Sequence, residues 1–286
     1  MLKANEGKAC EAIVQRLEER ANGKRTGLRF PEQEQHASPV EAAFSIGDQL
    51  YALEHTVIEP FEGHMKMEAE ADRHFKPIED ALKDALGNTA MFELVIPVNA
   101  FQVKKKGEIE AIQKALIEWV KASASTMPKS ADGRGTSSSS AATPQVPFAV
   151  TLQRFEPAPI PGHHFQISHM VSNGPQLRAD RIKKSIEKKF PKLAAWKRDE
   201  NAKTVLVLED NDIHLTNPSI VAETFEPLAK ARADRPDETY LVVSCTPLWT
   251  MWPMLIGDKS YFDFVRSGEW GYHEIEPTGL VSLTKR

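Results

Sequence analysis

EAAFSIGDQLYALEHTVI, residues 41–58, contains two apolar-rich runs, EAAFSI and QLYALEHTVI, with Gly47-Asp48 between them. Glycine followed by a short polar residue between two such runs predicts a tight β-hairpin. Pro60 ends the second strand, because proline has no amide hydrogen to give to a ladder. Side chains alternate along an extended chain, so Glu54 and Thr56 share one face of that strand while Leu53 and His55 share the other.

Upstream of the hairpin, Cys10, Ile13, Val14, Leu17 and Ala21 fall at three- and four-residue spacing and predict a helix over 5–21. Asn22-Gly23 supplies its stop. Glu11, Glu18 and Glu19 lie on its other face, and Lys24-Arg25 reads as a basic turn. Downstream, Phe75, Ile78, Leu82 and Leu86 predict a helix over about 64–86, kinked or split by Pro77 and closed by Gly87-Asn88. MFELVIPV (91–98) reads as a buried strand, and Ile109, Ile112, Leu116 and Trp119 mark a helix over 107–122. Residues 123–147, SASTMPKSADGRGTSSSSAATPQVP, are too small and polar to bury a core and read as a flexible linker or loop. The domains expected are therefore 1–122, that linker, and 148–286.

In the second half, FAVTLQRF and HHFQISHMV predict strands around a proline-rich turn. A basic helix follows at about 178–197, with Ile182, Ile186, Leu193 and Trp196 inward. TVLVLE (204–209) and YLVVSC (240–245) are continuous apolar strands that flank a helix begun by Asn217-Pro218. Strand, helix and strand of this kind predict a parallel crossover, which can continue the hairpin sheet. The fold class expected is α/β.

The chain has 286 residues, 41% hydrophobic and 27% charged, which excludes wholesale disorder and a fibrous molecule. The two cysteines, Cys10 and Cys245, read as buried thiols. The first twenty residues place Glu and Arg where a signal peptide needs an apolar run, and no stretch of about 18 apolar residues occurs. A reducing, cytoplasmic setting and no membrane partner are the expectation. Glycine-rich phosphate loops, a Gly-x-Ser-x-Gly elbow and a Cys-x-x-Cys pair are absent from the sequence, which argues against an NTPase, an α/β hydrolase and a thiol oxidoreductase. His163 and His169 share a strand face but stand roughly 20 Å apart at strand rise, too far for one zinc ion.

The order helix, strand, hairpin strand, helix, strand over residues 5–100 resembles the PD-(D/E)XK (restriction-endonuclease-like) nuclease superfamily, with its α-β-β-β-α-β core. The resemblance implies a core of that kind, extended by the C-terminal parallel βαβ unit, and Mg²⁺-dependent phosphodiester hydrolysis. Pro39 to Glu41 stands for the Pro-Asp element, Glu54 for the second acid and Thr56 for the lysine position, while Glu11 supplies a helix acid. The implied catalytic residues are Glu41, Glu54 and Thr56, and the implied metal ligands are Glu11, Glu41 and Glu54. Two departures stand out. Thr56 cannot offer the cation expected beside the attacking water, for which Lys104, Lys105 or Lys106 are substitutes, and Glu41 follows Pro39 by two residues instead of one.

Between 178 and 198 lie nine basic residues, among them Arg178, Arg181, Lys183, Lys184, Lys188 and Lys189, against Asp180 and Glu187. In a chain of net charge −4 such a stripe is a candidate contact for DNA or RNA phosphates, or else a solvated helix face. Glu209, Asp210, Asn211 and Asp212, with His214 nearby, end a parallel strand where ligands bind in open sheets, or simply form an Asx turn. The aromatic segment 246–272, holding Trp249, Trp252, Tyr261, Phe262, Phe264, Trp270 and Tyr272, is either core lid or contact surface, with Arg266 paired to phosphate or to Glu269. The alternative to a nuclease is accordingly a non-catalytic binding module that uses this region for a protein partner.

Overall fold

The structure is a computed structural model that describes residues 3–34, 38–59, 64–86, 90–97, 99–102, 104–128, 135–143, 146–156, 164–170, 174–210, 217–269 and 272–283. The elements in chain order are α1 (Lys3–Ala21), β1 (Arg25–Arg29), β2 (Ala42–Ile46), β3 (Gln49–Ile58), α2 (His64–Leu82), β4 (Met91–Pro97), α3 (Lys106–Thr126), β5 (Gly135–Thr143), β6 (Val146–Glu156) and β7 (Phe165–Met170). They continue with α4 (Gly174–Asp199), β8 (Lys203–Asp210), α5 (Pro218–Lys230), β9 (Glu238–Val243), β10 (Trp249–Ile256), β11 (Lys259–Ser260), α6 (Tyr261–Ser267) and β12 (His273–Ile275). The chain divides into two compact units: unit 1 is Met1–Glu62 with Gly174–Arg286, and unit 2 is Gly63–Asn173.

Unit 1 is a mixed eight-stranded sheet in the order β1-β2-β3-β8-β9-β10-β11, with β12 also on β10. The hairpin is formed as expected: β2 and β3 are antiparallel, with Ile46 opposite Gln49 and Gly47 in the left-handed region at φ 57°. β3 runs parallel to β8, and β8 parallel to β9, so the crossover through α5 does extend the hairpin sheet. Seven consecutive residues of β8 are buried, which is why that strand reads as a continuous apolar run. Alternation splits the core into two layers. Tyr51, Leu53, Val205 and Val207 meet Ile13, Val14 and Leu17 of α1, whereas Ala52, Ile58, Leu206 and Leu208 meet Ile186, Leu193 and Trp196 of α4 and Phe225 of α5.

The predicted ends of these helices are found too. Asn22 takes the left-handed φ of 48° and Gly23 N donates to Glu18 O at 3.0 Å, closing α1. Asn217 Oδ1 accepts from Ser219 N at 3.1 Å, with Pro218 opening α5.

Unit 2 has its own sheet, β5-β6-β4-β7, and its own core. Phe75, Ile78 and Leu82 of α2 and Ile112, Leu116 and Val120 of α3 pack on Leu94, Ile96, Val150 and Leu152. Pro77 lies inside α2, which runs unbroken as helix to Leu82.

Three expectations change. The helix and strand that follow β3 in sequence, α2 and β4, belong to unit 2; the helix and strand that follow it in its own sheet are α4 and β8. Periodicity reports that a segment is helix or strand but carries no information about which sheet a strand joins. The division into units does not fall at the boundary expected at 123–147: the described part of that segment holds the end of α3, all of β5 and the start of β6, and the β5–β6 ladder runs from Gly135 opposite Glu156 to Thr143 opposite Val146. Backbone hydrogen bonds demand no particular side chain, so a Ser-rich run pairs where a neighbouring strand is offered. The basic turn at Lys24-Arg25 opens β1, an exposed edge strand whose RTGLR shows no apolar alternation.

No disulfide joins Cys10, which is buried, and Cys245. Among the described residues no helix is long and apolar enough to cross a membrane. His163, Asn211, Asp212, His214 and Trp270 lie outside the described residues.

Candidate metal centre

Glu54 projects from the middle of β3 toward the α4 layer and is fully buried. In the hairpin Ala42 pairs with Leu53, so the residue entering β2, Glu41, comes opposite Glu54 on the same face. A 3₁₀ turn over Pro31–Gln33 brings a third acid: Glu32 N donates to Val40 O at 3.2 Å, which holds Glu32 beside the start of β2. One carboxylate oxygen from each of Glu32, Glu41 and Glu54 lies within 4.8 Å of the others.

Two lysines of α4, three residues apart and therefore on one helix face, point into this cluster. Lys189 Nζ donates to Glu41 Oε1 at 2.8 Å and also to Glu54 Oε2. Lys192 Nζ donates to Glu54 Oε1 at 3.0 Å and to Glu32 Oε1 at 3.1 Å. Side-chain exposure rises outward, from 0% at Glu54 through 17% at Lys189 and 30% at Lys192 to 44% at Glu32, so the cluster opens to solvent on the Glu32 side. Above it on α4, Arg181 Nη2 donates to Val57 O at 2.8 Å and its other terminal nitrogen to Ser185 Oγ, which ties the helix to β3.

Burial raises the pKa of Glu41 to about 7; Lys189 and His55 oppose the shift and the neighbouring Glu54 adds to it. Burial raises Glu54 as well, against Lys189 and Lys192. Burial acts against the charge on Lys189, but Glu41 and Glu54 outweigh it and hold that ammonium above its ordinary range. Two acids thus share one firmly protonated lysine, and Glu41 Oε2 is left buried without a hydrogen-bond partner among the described residues. That orphaned oxygen and an all-carboxylate donor set fit a hard divalent cation such as Mg²⁺.

Of the residues singled out in the sequence, Glu41 and Glu54 meet. Glu11 does not join them. It lies in the α1 layer, on the other face of the sheet, where both oxygens accept from Arg25 at 2.5 and 2.6 Å and one also accepts from Gln15. Glu32 stands where Glu11 was expected. Thr56 shares the face of Glu54, with its Oγ1 3.4 Å from Val57 O, and contributes no charge. Thr56 brings no cation to the acids, and Lys189, expected on the phosphate-binding face, stands beside them instead. Lys104, Lys105 and Lys106 belong to unit 2. A signal for Lys189 was present: it lies seven residues from both Ile182 and Trp196, inside the apolar stripe of α4, where a lysine needs a partner. Glu32, in an irregular turn, had no such signal.

The basic helix therefore divides. Lys183, Lys184 and Lys188 are exposed, Lys189 and Arg181 turn inward, and Arg178 is half-buried, with burial lowering its pKa and Glu223 partly compensating. Glu209, at the end of β8, is buried on the α1 face, hydrogen-bonded to His55 Nε2 at 2.8 Å and to Ser244 Oγ at 2.5 Å. In the aromatic region Trp249 and Tyr261 are buried, and Trp252 stacks on Tyr272 with centroids 4.9 Å apart. Arg266 pairs with Asp263, not with Glu269, which takes Lys259 instead. Compared with protein families, with curated proteins and with solved structures, the chain finds no match.

Proposed function

We propose that unit 1 is a metal-dependent nucleic-acid hydrolase of the PD-(D/E)XK type, with its lysine supplied by α4. The observation that carries this reading is the meeting of Glu41 and Glu54 with Glu32 inside 4.8 Å, beside Lys189. The element order supports it: α1, β1, β2, β3, then α4 and β8, with β8 parallel to β3, is an α-β-β-β-α-β succession into which unit 2 is inserted.

Glu32, Glu41 and Glu54 would hold Mg²⁺, which when bound supplies a Lewis acid for phosphoryl charge and makes water nucleophilic near neutral pH. Lys189, protonated and anchored by two acids, offers a fixed positive charge at the reacting phosphate, the role Thr56 cannot fill. Exposed Lys183, Lys184 and Lys188 lie along α4 and contact the DNA or RNA backbone, which positions the strand without reading its sequence.

Incubation of the purified chain with DNA and with RNA, in Mg²⁺ or Mn²⁺, tests the reading: cleavage is expected, and Glu54→Gln abolishes it. Equal cleavage by the variant, or none by the parent protein under any of these conditions, removes the hydrolase. One observation favours a second reading, a binding module without catalysis: Lys189 and Lys192 already neutralise two of the three acids. That module would use the C-terminal aromatic region, where Tyr272 and Leu248 are exposed, for a protein partner. No cleavage together with no salt-dependent nucleic-acid binding would favour it.

A further inference from the structure

We infer that Lys192 is the displaceable cation of this centre, an ammonium that holds the place of a divalent ion and yields it on loading, while Lys189 stays. The inference rests on the metal reading above and adds to it the residue that controls occupancy.

The two lysines look alike in sequence and differ in placement. Lys189 reaches the inner pair, Glu41 and the fully buried Glu54, and moving it would strand those acids in the interior. Lys192 bridges Glu54 Oε1 and Glu32 Oε1 at 3.0 and 3.1 Å, between two of the three oxygens that converge within 4.8 Å. It is the more exposed of the two, and its second partner, Glu32, is more exposed still. A lysine is a point charge on a freely rotating stem, so Lys192 can swing into water without disturbing α4. Charge favours the exchange. With the carboxylates ionised, three negative charges face two ammoniums and one is uncompensated; replacing Lys192 by a divalent ion brings the cluster to neutrality. Without metal, the same lysine keeps Glu54 from being buried against Glu41 with a single partner between them.

Calorimetric titration of the full chain with Mn²⁺ tests this through affinity alone. Lys192→Met keeps the length of the stem and removes the charge, and it is expected to bind Mn²⁺ at least about tenfold more tightly than the parent. Lys230→Met removes the same charge from an exposed pair on α5 and is expected to stay within about twofold of the parent. If Lys192→Met does not fold, as read by circular dichroism, Lys192→Gln serves in its place with the same expectation. Parent-like or weaker binding by the Lys192 variant, or equal tightening by Lys230→Met, overturns the exchange and leaves the metal reading standing. No saturable Mn²⁺ binding by either the parent or a folded Lys192 variant overturns both.

Discussion

Removing the Lys189 ammonium would leave Glu54, fully buried, facing Glu41 with only the rim lysine to compensate two acids. Breaking a buried ion pair from one side costs about 3 kcal/mol or more, because the charge left behind remains in the interior. Lys189→Met should therefore lower stability by about that amount in urea denaturation; a loss below about 1 kcal/mol would mean that water already reaches the inner acids. A second buried acid contributes stability that acid removes. Glu238 accepts from Arg20 at 2.5 Å, from Lys203 at 2.7 Å and from the Tyr240 hydroxyl at 2.5 Å. Burial opposes its charge, but these donors prevail and hold its pKa below the ordinary 4.5. With the folded pKa depressed, the unfolded chain takes the proton first, so this stabilisation is present above about 4.5 and lost as pH falls through the folded value. Urea midpoints measured from pH 7 downward should fall less steeply below 4.5 in Glu238→Gln than in the parent, though the variant starts from lower stability.

Elements place these residues by different means. The edge strand β1 has no apolar face of its own; Arg25 ties it to α1 through Glu11 and Glu18. Glu11→Gln should speed amide hydrogen exchange in residues 25–29 and cost roughly 2 kcal/mol, yet leave Mn²⁺ affinity unchanged, because α1 covers the opposite face of the sheet. Weakened Mn²⁺ binding in that variant would return Glu11 to the metal set. α4 presents two faces with separate duties. If its outer lysines track phosphates, replacing Lys183, Lys184 and Lys188 by Ala should flatten the dependence of log K on log salt by about 0.7–0.9 for each phosphate no longer neutralised. An unchanged slope would make that face merely solvated. The two duties were unevenly legible: an excess of positive charge is visible in composition, whereas the inward turn of Lys189 follows only when the helical phase of Ile182, Ile186 and Trp196 is extended to include it.

At the scale of the whole molecule, unit 2 has a separate sheet and core, so residues 63–173 expressed alone should unfold cooperatively in urea, with retained near-ultraviolet dichroism; a non-cooperative transition would show that it depends on unit 1. Such an excursion is what sequence could not reveal. The hairpin, the stop of α1 at Asn22, the cap at Asn217 and the apolar runs that become β8 and β9 were all determined locally, by turn chemistry, capping and hydrophobic pattern, each of which acts within a few residues. Glu41 and Glu54 as a facing pair belong to the same class, since the hairpin register fixes them. The choice of α4 and β8 as neighbours of β3, and the arrival of Glu32, Lys189 and Lys192 around Glu54, were decided by tertiary structure alone. Those partners lie more than a hundred residues apart along the chain, or in a turn with no period; the packing of the apolar stripe of α4 on the sheet brings the two lysines to the buried Glu54, whose charge needs them there.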